Sequence, residues 1–395
     1  MKLGFHTAGE IKQLDADYVA HTYGRSDLAV KYGKGSELYD YSGRRYIDLG
    51  SGIAVNTFGV SDDIWRKAVT AQLEAVQHTS NLYYTAPQAE LARMLCQRSG
   101  MSKVFFSNSG AEANECAIKT ARKYSSDRYG LGRHTIVAMK NSFHGRTVTT
   151  LSATGQDHFH RHFDPFTPGF VFVEPGNIPE LERALREYSC CAIMMEMIQG
   201  EGGVIPLPGP FVLRAAELAA QNDLLLLVDE VQTGCGRTGR LFAYEHYGIQ
   251  PDVVSMAKGL AGGLPLGATL LGVRAADTLG PGDHGSTFGG NPVCAAGAVS
   301  VLERLDDELM EEVSAKSGFI RSSLEGAPGV KSVSGMGLML GIDTEKAAAQ
   351  VAGECLEKGV VVLTAKSKVR LLPPLNIPLP LLEEAIQILK EVLKP

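Results

Sequence analysis

The sequence of 395 residues predicts an α/β fold whose sheet is mostly parallel and covered by helices. Two observations support this prediction: short apolar runs recur between about residues 100 and 275, and helical patterns separate them. Strands buried on both faces read as continuous apolar runs, and helical crossovers between them favour parallel pairing. The seven runs are Val104–Phe106, Ile136–Met139, Phe170–Val173, Ala192–Glu196, Leu224–Val228, Val253–Met256 and Ala268–Val273.

The segments on either side of these runs predict a second, smaller α+β domain. Alternating polarity over Leu38–Asp48 around a Ser-Gly turn favours an antiparallel hairpin. The C-terminal patterns are helical at Asn291–Leu305 and Asp307–Ser323, strand-like at Leu338–Ile342 and Val360–Leu363, and helical again at Leu381–Leu393. We therefore expect residues 1–55 and 286–395 to build the smaller domain from both chain ends, with residues 56–285 forming the large one.

The composition argues against several classes of function. A net charge of -6, with lysine and arginine dispersed along the chain, argues against a nucleic-acid surface. The seven scattered cysteines show no zinc spacing and the histidines form no metal motif, so we expect no metal site. Reduced thiols are typical of the cytoplasm, where we place the protein, and no run predicts a membrane span or a targeting segment.

An aspartate and a lysine stand at the ends of two predicted strands. Asp229 follows Leu224–Val228, and Lys258 comes just after Val253–Met256. A lysine amine can hold the aldehyde of pyridoxal phosphate as a Schiff base, while a carboxylate opposite the pyridine nitrogen keeps that nitrogen protonated. Each residue alone also fits an ordinary solvated loop. The pair therefore indicates amine chemistry only if further motifs accompany it.

A phosphate site is predicted where a helix begins after Val104–Phe106. Ser109, Gly110 and Ala111 stand at that point, so that a hydroxyl, free backbone N–H groups and the positive end of the helix dipole coincide. The alternative is a plain capping box, with Ser109 as N-cap and Glu112 three residues later. The two interpretations are compatible, since both use the same donors.

Further polar and aromatic residues follow the other strands. Phe143 could stack on a flat ring and Arg146 could grip a carboxylate, although a core phenylalanine and a surface ion pair are the simpler alternatives. Gln232 could donate to a phenolic oxygen. Ser286 and Thr287 add hydroxyl donors before a helix start at Pro292.

Taken in order, these motifs resemble the class III aminotransferases over nearly the whole chain. The matching segments are Ser107–Glu115, Phe143–Thr147, Gln199–Gly203, Val228–Gly234, Ala257–Gly259 and Ser286–Pro292. Within that family the resemblance is greatest to the acetylornithine aminotransferases. The segments that carry this finer resemblance are Thr22–Arg25, Gly52–Asn56, Ser80–Tyr84 and Leu151–Gly155.

The resemblance implies the pyridoxal phosphate fold type I and assigns roles to residues. Lys258 would be the Schiff-base lysine and the catalytic base, and Asp229 would pair with the pyridine nitrogen. The other implied cofactor contacts are Ser109, Gly110 and Ala111 on the phosphate, Phe143 on the ring, Gln232 on the phenolic oxygen and Thr287 on the phosphate of a neighbouring subunit. A homodimer with shared active sites is therefore expected.

The resemblance also implies transfer of the terminal amino group of N2-acetyl-L-ornithine to 2-oxoglutarate, a step of arginine synthesis. Arg146 would bind a carboxylate of each substrate, and Arg370 would bind the keto acid once Glu201 releases it. Tyr23 and Ser286 complete the implied substrate set. The alternatives are a related aminotransferase acting on ornithine, succinylornithine or 4-aminobutyrate and, more remotely, a pyridoxal-binding protein without catalysis.

One segment departs from the family pattern. Relatives commonly carry Gly-His-x-x-Pro after the Ala-Val-Asn stretch, whereas this chain has Gly59–Trp65 without that histidine and proline. The segment lies outside the implied catalytic set, so we expect any consequence to concern the entrance loop or subunit contacts.

Overall fold

The computed structural model describes residues 7–394 and is organised around a seven-stranded sheet. The strands of this sheet are β4 (Lys103–Ser107), β5 (Thr135–Met139), β6 (Phe170–Val173), β7 (Cys190–Glu196), β10 (Leu225–Asp229), β11 (Val253–Met256) and β12 (Gly267–Leu271). Their spatial order is β4-β12-β11-β10-β7-β5-β6. Each of the seven predicted runs corresponds to one of these strands, which confirms the predicted fold class.

Six strands of the large sheet run in one direction and β12 runs against them. The pairs β10-β11, β10-β7, β5-β7 and β5-β6 are parallel. β12 is antiparallel to both β11 and β4, so β4 points the same way as β11. The carboxyl ends of β4, β5, β7, β10 and β11 therefore lie along one edge, where open α/β sheets bind their ligands.

Helices cover this sheet and supply the rest of the core. The α-helices of residues 7–394 are α1 (Ala8–Tyr18), α2 (Ser51–Ala54), α3 (Asp63–Ala75), α4 (Ala86–Ser99), α5 (Gly110–Tyr129), α6 (Val148–Ala153), α7 (Asp157–His160), α8 (Ile178–Glu187), α9 (Gly209–Gln221), α10 (Pro292–Leu302), α11 (Asp307–Leu324), α12 (Ala348–Glu357) and α13 (Leu379–Leu393). β5 is buried along its whole length, as its apolar sequence requires. Among the described residues, no helix combines the length and apolarity needed to cross a membrane.

Three smaller sheets complete the described chain. Their strands are β1 (Val30–Lys34), β2 (Glu37–Asp40), β3 (Arg45–Asp48), β8 (Ile198–Gln199), β9 (Ile205–Pro206), β13 (Val330–Met336), β14 (Met339–Thr344), β15 (Val360–Val361), β16 (Leu363–Ala365) and β17 (Lys368–Leu371). β2 and β3 form the predicted hairpin, with Leu38 opposite Tyr46. Val360 of β15 pairs in parallel with Ile47 of β3, so the two ends of the chain meet in one sheet.

The run Val360–Leu363 was expected to form one strand, and this prediction was wrong. Val361 belongs to β15 and accepts a hydrogen bond from Leu49, whereas Leu363 of β16 pairs with Arg370 of β17 in a different sheet. The chain passes from one sheet to the other at Val362, which is itself buried. Because both sheets cover the same apolar core, the apolar run continues across the break and conceals it.

The predicted domain boundaries stay a prediction, and residues 1–6 and 395 of the two end segments lie outside the described residues. What the structure does give is the pairing of the chain ends through β3 and β15. It also gives a four-stranded antiparallel sheet in the order β13-β14-β17-β16.

The departing segment Gly59–Trp65 has a clear structural role. Val60 pairs with Gly35, and the Asp62 side chain caps α3 by accepting from the Trp65 N–H. The indole N–H of Trp65, the single tryptophan of the chain, donates to the carbonyl oxygen of Ala261 over 2.8 Å. Ala261 ends the short 3-10 helix Lys258–Ala261, so this segment supports the turn that carries Lys258.

Candidate active site

A cleft of about 450 Å³ lies at the edge where the parallel strands end. It gathers residues from five strand ends, as expected for a site at the carboxyl edge of an open sheet. Eight of the sequence-predicted site residues line it: Ser109, Gly110, Ala111, Phe143, Arg146, Asp229, Gln232 and Lys258. Residues far apart in sequence are thus brought to one cavity.

Asp229 is a buried carboxylate with three hydrogen-bond partners, all of them donors. One oxygen accepts from the Asn114 amide over 2.7 Å and lies 2.8 Å from His144 Nδ1, while the other accepts from the Val231 N–H over 2.9 Å. The side chain is 4% exposed. Burying a carboxylate is costly without such partners. Here the protein donors take the place of hydrating water and stabilise the negative charge.

Of the three hydrogen-bond partners of Asp229, His144 is the one that can carry a positive charge. Burial disfavours the imidazolium, but the hydrogen bond and the charge of Asp229 outweigh burial and raise the pKa of His144 above its ordinary value. Its Nε2 is buried and has no hydrogen-bond partner among the described residues. His144 therefore donates its Nδ1 proton to Asp229 and holds that carboxylate at the wall of the cleft.

Lys258 opens the 3-10 helix Lys258–Ala261 in a left-handed backbone conformation, with φ of 45°. A lysine rarely adopts this conformation, and such backbone strain is often found at functional sites. Burial of the amine is the main cause that lowers the pKa of Lys258, and the positive charge of Arg370 acts in the same direction. A lowered pKa leaves more of the amine neutral, which is the form that can attack an aldehyde.

The turn from β4 into α5 carries the residues of the predicted anion site. Ser109 is the N-cap of α5 and accepts from the Glu112 N–H over 3.2 Å, while Glu112 accepts from the Asn108 N–H. A Cβ on Gly110 would come within 2.6 Å of Val231, so no larger residue fits without a shift. The helix start thus keeps both its cap and its free N–H donors.

Phe143 and Arg146 lie on the loop after β5. The Phe143 N–H donates to the carboxyl of Glu196 over 2.9 Å, and burial raises the pKa of that carboxyl. The guanidinium of Arg146 lies 5.6 Å from the centre of the Phe143 ring and is exposed. A flat apolar face and a free cation therefore stand side by side in one loop.

Arg370 enters the site from β17 and meets a carboxylate there. Its Nη1 donates to Glu201 over 2.6 Å and to the Gln232 side-chain oxygen over 3.2 Å. Burial by itself would raise the pKa of Glu201, but the charge of Arg370 and this hydrogen bond lower it below its ordinary value. Arg370 is thus buried and neutralised by Glu201.

These residues fit pyridoxal phosphate on the chemistry of their donors. A helix start with free N–H groups suits the phosphate, and the buried carboxylate of Asp229 suits a protonated ring nitrogen. Lys258 supplies an amine in the same cavity, and Phe143 supplies a flat face. Gly145, with φ of 138°, has no room for a Cβ beside Ala111, which keeps the wall of the cavity close to the anion site.

Comparison with known proteins assigns the family. The family described as Aminotransferase class-III matches residues 18–393. The chain belongs to the class III aminotransferases. It is 50% identical over 389 residues to the acetylornithine aminotransferase of Haemophilus ducreyi, with 98% of this chain and 99% of that protein covered.

Solved structures agree with this assignment. An ornithine aminotransferase from Toxoplasma gondii, reported with partial occupancy of pyridoxal phosphate in its active site, superimposes with a TM-score of 0.93 at 31% identity, covering 99% of this chain and 95% of that one. The N-acetylornithine aminotransferase of Stenotrophomonas maltophilia gives a TM-score of 0.83 at 34% identity, covering 96% and 97%. The chain is therefore a pyridoxal-phosphate-dependent aminotransferase of class III.

Besides Glu201 and Arg370, three predicted residues of this aminotransferase do not line the cleft itself. Tyr23 is 73% exposed in the segment between α1 and β1. Ser286 accepts from the Asn108 amide over 3.1 Å and so touches the cleft from outside, whereas the neighbouring Thr287 is exposed in a separate depression. Within residues 7–394, no group of His, Cys, Asp and Glu is arranged to hold a metal ion.

Sequence reasoning missed three residues that this site depends on. Asn114 and His144 lie in matching segments, but the sequence assigned no role to them, and each is hydrogen-bonded to Asp229. Glu196 was given only as the end of a predicted strand, and in the structure it is buried and accepts a hydrogen bond from the Phe143 N–H. A polar residue at the end of a buried strand was the available signal for Glu196.

The charges around Lys258 predict opposite effects of two substitutions on the cofactor-free protein. Glu201 raises the pKa of Lys258 and Arg370 lowers it. Glu201→Gln should therefore shift the pH midpoint of pyridoxal phosphate capture downward, and Arg370→Met should shift it upward. The capture rate is followed by the absorbance of the bound cofactor between pH 6 and pH 10.

The matched control is Glu217→Gln, which alters an exposed carboxylate on α9 that pairs with Arg214. It should leave the midpoint unchanged. Shifts of the same sign for the two cleft variants would show that these charges do not act on Lys258.

Proposed function

We propose that this aminotransferase moves the terminal amino group of N2-acetyl-L-ornithine to 2-oxoglutarate, giving N-acetyl-L-glutamate 5-semialdehyde and L-glutamate. The observation that carries the proposal is the arrangement of two arginines near Lys258: Arg146 is free, whereas Arg370 is neutralised by Glu201 at 2.6 Å. The 50% identity to the H. ducreyi acetylornithine aminotransferase supports the choice of amine. The reaction is a step of arginine synthesis, and a place in the cytoplasm stays a prediction.

Two substrates of different charge must use one cleft in turn. With Glu201 in place, Arg146 is the free cation and binds the α-carboxylate of the acetylated amine. An unpaired Arg370 would repel an incoming amine, and Glu201 removes that repulsion. When 2-oxoglutarate enters, Glu201 withdraws, so that Arg370 and Arg146 bind its two carboxylates.

The bound pyridoxal phosphate supplies the aldehyde that takes up the amino group and a ring that accepts electrons. The residues of the chain orient it and move protons. Lys258 Nζ would take and return the proton on the substrate carbon that bears the amine. Asp229, held by His144 and Asn114, would keep the ring nitrogen protonated. Gln232 would contact the phenolic oxygen, and Phe143 would cover the ring.

The acetyl group of the substrate contributes to the choice of nitrogen. Because the α-nitrogen is acylated, only the terminal amine can react with an aldehyde. Tyr23 and Ser286 belong to the proposed substrate set as residues that approach the cleft in the assembled protein. Ornithine, succinylornithine and 4-aminobutyrate remain alternative amines, since Arg146 and Glu201 suit several of them.

A panel of half-reactions tests the proposed amine. Acetylornithine, ornithine, succinylornithine and 4-aminobutyrate are added separately to the holoenzyme, and the absorbance of the bound cofactor is followed. Acetylornithine should react fastest, by about tenfold or more in kcat/KM, because ornithine brings a second charged amine, succinylornithine brings an additional carboxylate, and 4-aminobutyrate lacks the acylated α-nitrogen. A tenfold ratio corresponds to about 1.4 kcal/mol. A faster reaction with another amine would replace the substrate, and no reaction with any of them would contradict the proposal.

The exchange between Glu201 and Arg370 predicts a loss of discrimination. Glu201→Ala leaves Arg370 charged and unpaired, so acetylornithine should react more slowly relative to glutamate, by roughly tenfold or more in the ratio of half-reaction rates. The exposed Glu217→Ala is the matched control and should keep the wild-type ratio. An unchanged ratio in Glu201→Ala would contradict the masking role.

A homodimer with shared sites is the proposed assembly. The segment Leu82–Tyr84 is strongly exposed, with values of 85%, 68% and 106%, and Phe288 is 60% exposed nearby. Asn81 donates to the carbonyls of Ser286 and Gly289, which ties this segment to the Thr287 loop. A contiguous apolar surface of this kind is typical of an interface. A second copy covering it would receive Thr287 at its phosphate site.

Subunit mixing tests this assembly. In Thr287→Glu the new carboxylate should repel the phosphate of the neighbouring site, and in Lys258→Ala the base is lost, so each variant alone should be nearly inactive. When the two variants are mixed and refolded together, about half of the dimers are hybrids. Each hybrid has one intact site of its two, so about a quarter of the wild-type activity should return. A monomer in light scattering, or no recovery on mixing, would contradict shared sites.

A further inference from the structure

The guanidinium of Arg146 contacts two aromatic rings, and the nearer ring belongs to a residue with no assigned role. Its central carbon lies 4.3 Å from the ring centre of Phe159, compared with 5.6 Å from that of Phe143. The two rings meet edge to face, 5.5 Å apart at 65°. Phe159 thus supports both the free arginine and the flat face of the cleft.

The position of Phe159 is fixed from both sides. It lies in the one-turn helix α7, whose N-cap Gln156 is buried and donates to the Ser142 carbonyl over 3.1 Å. At the other end, His160 Nε2 lies 2.9 Å from the Leu151 carbonyl. The ring of His158 packs against Phe159 as well, with centres 3.9 Å apart. The Phe159 ring is therefore held against the same loop that carries Arg146.

Arg146 differs from Arg370 in what keeps it in place. Arg370 is buried against Glu201, whereas Arg146 makes no ion pair among the described residues. A ring face attracts a guanidinium without neutralising its charge. Since a free arginine has many rotamers, holding it beforehand reduces the entropy lost when a carboxylate binds.

We propose that Phe159 is a positioning residue that holds Arg146 ready for a substrate carboxylate and thereby sets the preference for amines that carry one. The inference rests on the proposed function only in taking Arg146 as the carboxylate site. Either substrate carboxylate meets the same pre-oriented guanidinium. Removing the ring should weaken recognition of the carboxylate and leave the chemistry of the amine itself unchanged.

The test compares two amines that differ only in the carboxylate: acetylornithine and N-acetyl-1,4-diaminobutane. For each enzyme the ratio of their kcat/KM values in the half-reaction is measured. Phe159→Leu should lower this ratio by about three- to thirtyfold, the range expected for a cation–π contact. Phe159→Tyr keeps an aromatic face and should restore the ratio to within about twofold of wild type.

The matched control is Phe163→Leu. Phe163 is exposed, and among the described residues the rings that face Arg146 are those of Phe143 and Phe159 instead. It should keep the wild-type ratio. If both amines slow by the same factor in Phe159→Leu, the ring only packs against the cleft, and the proposal is overturned. Phe159→Met provides the same comparison if the leucine variant does not fold.

A binding measurement removes the dependence on turnover. Glutarate, an unreactive dicarboxylate, is titrated calorimetrically into the holoenzymes of wild type, Phe159→Leu and Phe159→Tyr. Weaker binding in the leucine variant alone supports the proposal, and equal binding in all three overturns it. A wild-type enzyme that reacts equally well with both amines would overturn the role of Arg146 itself, which separates failure of the proposed function from failure of the role of Phe159.

Discussion

The buried carboxylate of Asp229 is the constraint on which the rest of the site depends. A charge at 4% exposure must be satisfied by donors from the protein, and here they come from α5, from the loop after β5 and from its own strand end. Satisfying one carboxylate therefore fixes three elements relative to one another. The same elements carry the anion site at Ser109 and the ring face of Phe143, so the cavity takes its shape from the way this charge is buried.

The second constraint couples the smaller sheets to this cavity. Arg370 lies on β17, and its only acidic partner among the described residues is Glu201, which follows β8. A buried ion pair of this kind returns little net stability, because desolvation of both groups offsets most of the attraction. In the proposed function the pair is exchanged: a substrate carboxylate replaces Glu201, and the arginine keeps an anionic partner throughout.

The sequence predicted the large sheet well because its strands are buried on both faces. Runs such as Ile136–Met139 contain no polar residue, so they predict strands clearly. The carboxyl ends of these parallel strands then predict the edge of the sheet where a ligand binds. The break at Val362 could not be predicted, since it depends on which sheet each strand joins. Asn114 and His144 were missed for a related reason: their function is a contact with Asp229, and no local pattern records a partner distant in sequence.

The resemblance to a family assigned roles to site residues that local patterns could not assign. It gave no role to the departing segment Gly59–Trp65. Trp65 occurs where the usual histidine and proline motif is absent, yet its indole supports the turn of Lys258 through Ala261. Gly262 and Gly297 are packed so closely on this ring that a Cβ on either would approach it within 3.1 Å and 2.9 Å. A bulky aromatic ring at this place therefore requires small neighbours. In this chain the lysine turn is held by the hydrogen bond from Trp65 and by the close packing of its ring between residues distant in sequence.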